Sequence, residues 1–567
     1  MRLRLYLLLA AAGLAHSQQT MITVLATTDL HGNLFPIDYV TDQPAARGLA
    51  KIATLIRAAE AENPNHLLVD CGDTIQGTPL EYAYQDLVRT GAGPLGLRPA
   101  APLPHDPMML AMNALGYDAM TVGNHEFNFG LKNLNRARAE AHFPWLSANT
   151  VVAPGGAERP FFSYILKTVG GVKVAIIGVT TPVIPGWEKP ENIGSYRFLQ
   201  DPEALKKNLA ILRAQDHPDL VVVAAHTGLG HNFETGQPER PEEDQVYAMA
   251  EAAPDVDAIV FGHSHNQLEG RLIGNVLVTQ PKNWGISLAR LDFTMERRAG
   301  GGWAVVKKTS RLIPVTASTP AAADILAIGR PYQEFTERYL DTPVARSAAP
   351  LSAALGRVED TAIVDAVQQV QLAYSHADVS FASAFNTSVR VPQGEATVRQ
   401  IAALYPYDNE LYAIEGDGKM VKEALENSAR YYLSCQGARC SQLPLTDRSI
   451  SGYNYDMAQG VEYEIDLTQP VGSRIRNLRW HGAPLAPDQK LRIAVNNYRA
   501  AGSAGYSMFQ NAKILWRGPE EIRDMIVRYY TEKGSLPQKP DNNWRLIPDE
   551  ARVTLERDAL NARPQLQ

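Results

Sequence analysis

The sequence predicts an α/β fold, and three observations carry that expectation. Short apolar runs at residues 22–26, 67–69, 172–179, 220–225 and 258–261 alternate with helix-like segments up to about residue 315. Several runs are rich in Val and Ile and apolar at nearly every position, as strands buried on both faces are. Polar clusters follow the runs, where an α/β sheet gathers its loops into one crevice. With 45% hydrophobic and 20% charged residues the chain can bury a large core. Its 567 residues exceed one domain at roughly 100–200 residues each.

Residues 1–17 read as a cleavable signal peptide. Arg2 and Arg4 precede an apolar stretch at 5–14, and Ala15-His16-Ser17 offers small residues for cleavage. The stretch is too short to span a bilayer, no Cys follows it directly to carry a lipid, and no later run of 18 or more apolar residues occurs. A periplasmic or secreted protein with no stable membrane anchor is expected, as a monomer. The first domain is placed at 18–319. Inside it, Asp106 as N-cap, Pro107 at the first helical position and Gly116 as stop delimit a helix, which leads into a strand at 117–122. The Gly/Pro-rich stretch 91–104 reads as a surface loop. A helical pattern after Pro320 places a linker and candidate hinge at 320–345, a second domain at 346–548 and a charged, fraying tail at 549–567. Cys435 and Cys440 are close enough in sequence for a local disulfide in an oxidising compartment, whereas Cys71 reads as a buried small hydrophobe. The formal charge of −7 argues against a nucleic-acid polymer as partner. No repeat of 20–50 residues points to a solenoid.

Five clusters at strand ends hold the chemistry: Asp29-Leu30-His31-Gly32, Gly72-Asp73, Gly123-Asn124-His125-Glu126, His226-Thr227-Gly228 and Gly262-His263-Ser264-His265. Two carboxylates, a carboxamide and several imidazoles, without a thiolate, suit divalent Zn, Mn, Fe or Co. Residues two apart on an extended segment point the same way, so Asp29 with His31, and His263 with His265, are each expected to approach a metal from one side. Singly these clusters are weak signals, because an Asp-x-His or a strand-end His is common; their ordered recurrence is the strong one.

The ordered set resembles the calcineurin-like metallophosphoesterases and, more narrowly, the exported 5′-nucleotidase / 2′,3′-cyclic-nucleotide phosphodiesterase family. Thr28-Asp29-Leu30-His31-Gly32, Gly72-Asp73-Thr74-Ile75-Gln76-Gly77, Gly123-Asn124-His125-Glu126-Phe127 and Gly262-His263-Ser264-His265 are similar to that family's signatures. Tyr405-Pro406-Tyr407-Asp408-Asn409 and Asn496-Asn497-Tyr498-Arg499 resemble segments of its C-terminal substrate domain. The resemblance implies a four-layer α/β/β/α sandwich followed by a smaller α+β substrate-binding domain, with the active site between them. It implies two divalent metal ions: Asp29, His31, Asp73 and His265 around one, and Asp73, Asn124, His226 and His263 around the other. Metal-activated water would attack phosphorus, because metal binding lowers the pKa of water from about 16 toward about 7. His125 would face the phosphate, stabilising charge or protonating the leaving oxygen.

Three residues after that His, the 5′-nucleotidase branch carries an Asp, and this chain carries Asn128, which accepts a hydrogen bond without a charge. The cyclic-phosphodiesterase branch is the better match there, so 2′,3′-cyclic-nucleotide 2′-phosphodiesterase with 3′-nucleotidase activity is the expected function. The runner-up is 5′-nucleotidase / UDP-sugar hydrolase; sulfate or thiosulfate ester hydrolysis and a non-catalytic nucleotide-binding protein are more distant. Nucleotide substrates imply a base clamp: the resemblance points to Tyr506, with Tyr455 or else Tyr453 as its mate, and to Asn386 and Arg390 near phosphate or ribose.

Overall fold

A computed structural model describes residues 18–561 except 154–158, 235, 240 and 408. The expected signal peptide at 1–17 lies outside the described residues. The chain divides into two compact units between Thr336 and Glu337.

The first unit holds two six-stranded mixed sheets. In spatial order the first runs Trp303–Pro314, Ser287–Arg297, Gln19–Thr27, His66–Asp70, Ala119–Thr121 and Trp145–Leu146. The second runs Leu268–Ile273, Val276–Gln280, Ala258–Phe261, Leu220–His226, Val172–Thr180 and Tyr164–Val169. Side-chain alternation along these strands builds the layers. Val24, Ala26, Val69, Val174, Ile176, Val222, Ala224 and Val260 meet between the sheets. Their neighbours Leu25 and Leu68 turn outward onto the helices Leu49–Glu62 and Pro107–Leu115. On the opposite side Ala175, Ile177, Val221, Val223 and Ile259 pack on the helices Asp201–Gln215 and Val246–Ala252. Runs that are apolar at every position are thus strands covered on both faces, and the unit is the α/β/β/α sandwich. Each fully buried aliphatic side chain contributes roughly 1.5–3 kcal/mol.

Parallel pairing aligns the carboxyl ends that carry the polar clusters. Thr27 pairs with Asp70, Asp70 with Met120, Ala225 with Phe261 and His226 with Thr180. The helix signals of the sequence appear as side-chain geometry: Asp106 Oδ1 accepts from Met109 N–H at 2.9 Å, and Gly116 terminates the helix in the left-handed region at φ 71°.

The second unit is α+β. Its central sheet orders Asp456–Gln459, Val379–Ser383, Lys490–Asn496, Glu410–Asp417 and Ile514–Glu521, with the helix Ala362–Ser375 packed on it. A four-stranded sheet combines Ala483–Pro484, Ile475–Trp480, Glu462–Asp466 and Trp544–Ile547. Cys435 and Cys440 form a disulfide with Cα atoms 5.0 Å apart, and Cys71 is a buried free thiol. The helical pattern after Pro320 is the helix Ala323–Leu340, which contains Pro331. Residues expected to fray behave differently: Asp549–Asn561 is a helix that buries Ala551, Thr554 and Leu555. Residues three and four apart share a helix face, so three small or apolar positions suffice to dock an otherwise charged segment. Asp549 and Glu550 in its first turn complement the helix dipole.

Candidate metal centre

The five strand ends bring all seven ligand-type residues into two touching groups. Asp29, His31 and His265 offer donor atoms within 4.8 Å of one another, and so do Asp73, His226 and His263. His31 Nε2 lies 3.0 Å from His265 Nε2, which lies 3.4 Å from Asp29 Oδ1. In the second group His226 Nε2 is 3.0 Å from both Asp73 Oδ2 and Asn124 Oδ1, and His263 Nδ1 is 3.0 Å from Asn124 Oδ1. Asp73 Oδ2 also stands 3.8 Å from His31 Nε2, so one carboxylate reaches both groups.

The backbone turns these side chains inward at a cost. Asp29, His31, Asp73, His263 and His265 all have left-handed φ, between 47° and 71°. This conformation costs roughly 1–2 kcal/mol for a residue with a side chain. It also replaces the extended geometry expected of the two spaced pairs. Asp29 and His31 still share a group, but His263 and His265 separate, one to each. Two carboxylates pin the turns. Glu126, fully buried, accepts from the N–H groups of Asp73, Thr74, Ile75 and Gly123 at 2.6–3.3 Å. Asp70 accepts from Thr27 Oγ1, Gly72 N–H and Thr74 Oγ1, and burial pushes its carboxyl up to about 7. At Gly123 and Gly262 a Cβ would collide with Asp73 Oδ1 and Thr28 Oγ1 respectively, so the ligand turns close around glycine.

The donor chemistry fits cations. His226 Nδ1 donates to Cys71 O at 2.7 Å and His31 Nδ1 to Gln76 O at 3.0 Å, because a carbonyl only accepts. His263 Nε2 donates to Glu243 Oε1 at 3.0 Å, under the stacked ring of Trp187. The inner nitrogens of these three imidazoles then face one another's neighbours and the oxygens of Asp73 and Asn124, where a proton on His226 or a metal cation must supply the positive charge. Acceptors converging on acceptors need positive charge between them, and outer N–H groups tied to oxygen are how metal-binding imidazoles are oriented. The electrostatics agree. Burial resists charging His226, but the carboxylates of Asp73, Asp29 and Glu126 overcome it and raise the ring to about 10. Burial lowers His31 to about 4 against the pull of Asp73. Burial would raise Asp29, yet hydrogen bonding and charge from His265 hold it at about 2. A hard or borderline divalent ion in each group would satisfy these atoms.

His125 sits beside His31, ring centroids 5.2 Å apart, and its backbone N–H donates to Asp73 Oδ1 at 2.8 Å. Its Nδ1 is 2.6 Å from Asn128 Oδ1. Glu243 and Glu188 were not legible as partners of this site: Glu243 is one of three consecutive acids, Glu242-Glu243-Asp244, Glu188 follows Gly186-Trp187, and no motif surrounds either. Glu126 lay inside a quoted motif, and that was the signal available for it.

Of the three tyrosines of the second unit expected to clamp a base, Tyr506 and Tyr455 are buried and Tyr453 is exposed. Tyr506 is fully buried, its hydroxyl 2.6 Å from Ser428 Oγ and its ring parallel to Phe509 and beneath Arg499. Tyr455 is also fully buried, stacked on Tyr431 at 5.3 Å. Solvent-reachable rings of this unit include Tyr498 and also Tyr453 and Tyr407, the latter two each 40% exposed with centroids 6.3 Å apart. These tyrosines read alike in sequence, and burial separates them. Asn386 and Arg390 share one loop: Asn386 Oδ1 accepts from Ser388 N–H, and Arg390 Nη1 donates to Thr387 O and Val389 O. Arg499, in the quoted Asn496–Arg499 segment, pairs with Asp456 at 2.7 and 3.0 Å and is buried.

The sandwich and its doubled donor set define a metal-dependent phosphoester hydrolase. Residues 22–267 match the calcineurin-like phosphoesterase model and residues 342–511 the 5′-nucleotidase C-terminal domain. A 2′,3′-cyclic-nucleotide 2′-phosphodiesterase/3′-nucleotidase of Yersinia enterocolitica is 30% identical over 93% of this chain and 88% of that protein. A trifunctional nucleotide phosphoesterase protein of Bacillus subtilis is 30% identical over 94% of this chain, which spans 39% of that protein's length. The structure of a putative 5′-nucleotidase from Staphylococcus aureus matches with a TM-score of 0.74 at 26% identity, covering 93% of this chain and 100% of that one. The chain belongs to the 5′-nucleotidase / 2′,3′-cyclic-nucleotide 2′-phosphodiesterase family. No described helix is long and apolar enough to cross a membrane.

Proposed function

We propose that this chain hydrolyses nucleotide phosphoesters, acting as a 2′,3′-cyclic-nucleotide 2′-phosphodiesterase with 3′-nucleotidase activity after export. The observation that carries the reading is the convergence of two donor groups on Asp73 Oδ2. Asp29, His31, Asp73 and His265 would hold one divalent ion, and Asp73, Asn124, His226 and His263 the other. Zn, Mn, Co and Fe all suit the set. Such a pair supplies Lewis acidity, a water pKa lowered toward about 7, and neutralisation of phosphate charge. The protein's part is orientation. Asp73 spaces the two groups, the left-handed turns aim their donors, and His125 faces the phosphate to stabilise its charge or protonate the departing sugar oxygen.

Nucleoside recognition belongs to the second unit, through its exposed rings Tyr453 and Tyr407 and the loop of Asn386 and Arg390. Export is supported by the sequence of residues 1–17 and by the Cys435–Cys440 disulfide. The fold likeness to a putative 5′-nucleotidase keeps 5′-nucleotidase as the second reading. Initial rates on 2′,3′-cyclic AMP, 3′-AMP and 5′-AMP with Mn or Co supplied test both. Faster turnover of the first two supports the proposal, faster turnover of 5′-AMP supports the second reading, and none on any of them contradicts both.

A further inference from the structure

Behind His125 runs a chain of hydrogen bonds that ends on a buried acid. His125 Nδ1 meets Asn128 Oδ1 at 2.6 Å, Asn128 Nδ2 donates to Glu188 Oε1 at 2.8 Å, and Asn192 Nδ2 donates to Glu188 Oε2 at 2.9 Å. Asn192 Nδ2 also reaches Asn128 O at 3.1 Å. Glu188 is 4% exposed and follows the short turn Ile184–Trp187, where its N–H donates to Ile184 O. A buried carboxyl with amide partners is costly to keep, and its geometry here has one directional consequence. An amide presents either an oxygen or an amine, and the two ends are similar in shape. An acid that accepts from Nδ2 compels Oδ1 to the other side, where His125 waits. Oδ1 accepts, so His125 Nδ1 must carry the hydrogen, and any proton exchanged with substrate passes through Nε2.

We propose that Glu188 is a positioning residue for His125, acting through Asn128 by fixing which end of the amide meets the ring. The proposal rests on the reading of His125 as the group that faces the phosphate. It explains why a neutral side chain stands at position 128: the negative charge of the relay is one residue further out. A carboxylate at 128 would confront Glu188 at hydrogen-bond distance, where two acids in a buried site either repel or must share a proton.

The experiment measures kcat and KM on 3′-AMP and bound metal by elemental analysis for Glu188→Ala, Glu188→Gln, His125→Ala, the double variant His125→Ala/Glu188→Ala, Asn128→Asp and Asn128→Asp/Glu188→Gln. Loss of aim typically costs about 10²-fold, so Glu188→Ala should lose about that factor in kcat, with KM and metal content close to wild type. Glu188→Gln keeps an acceptor oxygen and should lose less. The double variant with His125→Ala should be no slower than His125→Ala alone, because a relay that works only through His125 has nothing left to position. Asn128→Asp should be impaired and partly rescued by adding Glu188→Gln. Wild-type kcat in Glu188→Ala, or a loss that adds in full to that of His125→Ala, overturns the proposal while leaving the role of His125 intact. Wild-type kcat in His125→Ala overturns the underlying reading and the proposal with it.

Discussion

At the scale of single residues, the site depends on side chains whose partners cannot be replaced by water. Asp73 is the clearest case, since its Oδ2 reaches both donor groups while its Oδ1 accepts from the His125 backbone N–H. Asp73→Asn removes the shared negative charge, so bound metal and kcat should fall together, kcat by at least about 10²-fold. Near-normal turnover in that variant contradicts the bridging role. The tyrosines of the second unit make a paired prediction. Tyr506 is a core ring with its hydroxyl satisfied internally, so Tyr506→Ala should destabilise the protein by roughly 3–5 kcal/mol in thermal or denaturant unfolding. Tyr453 is 40% exposed, so Tyr453→Ala should leave stability nearly unchanged and raise KM for nucleotides more than for a small chromogenic phosphodiester. The reverse pattern, with Tyr506→Ala stable and weak only toward nucleotides, would restore the clamp expected from the sequence.

Among the elements, the helix Ala362–Ser375 carries a pH-sensitive contact. Asp365 faces Asp360 and Asp541, and burial followed by the charge of those two acids pushes its carboxyl from an ordinary 3.8 up to about 8. The folded chain therefore keeps a proton that the unfolded chain has released. Stability from this group is full below about pH 4 and is lost as pH rises through about 8. Asp365→Asn should flatten the decline of the unfolding midpoint between about pH 5 and about pH 9; parallel curves for variant and wild type would contradict the assignment. The strands were legible because a run such as residues 220–225 is apolar at every position, and burial on both faces demands that. The helix at Pro107–Leu115 was legible from its cap and stop, and the ligands from their recurrence after strands. What escaped sequence reading depends on tertiary placement. Glu188 and Glu243 acquire meaning from the imidazoles across from them, and the burial of Tyr455 and Tyr506 depends on distant neighbours such as Tyr431 and Ser428. The helix Asp549–Asn561 hides its apolar face in a sequence dominated by charge.

For the whole molecule, ligand binding and folding are linked. Five left-handed residues and a cluster of mutually repelling acceptors make the first unit's site costly to assemble, and cations that bind the folded chain offset that cost. At a free concentration of 100 Kd one such ion adds about 2.7 kcal/mol of stability. Chelation should therefore lower the unfolding midpoint, and Mn or Co should restore it; a midpoint indifferent to chelator would contradict metal-linked folding. The most direct test of the central claim, that seven side chains from five strand ends form a paired centre with Asp73 between its halves, is the metal stoichiometry of the purified, reconstituted full chain by elemental analysis. About two divalent ions per chain are expected. A chain that retains none, or that binds a single ion regardless of supply, contradicts that claim.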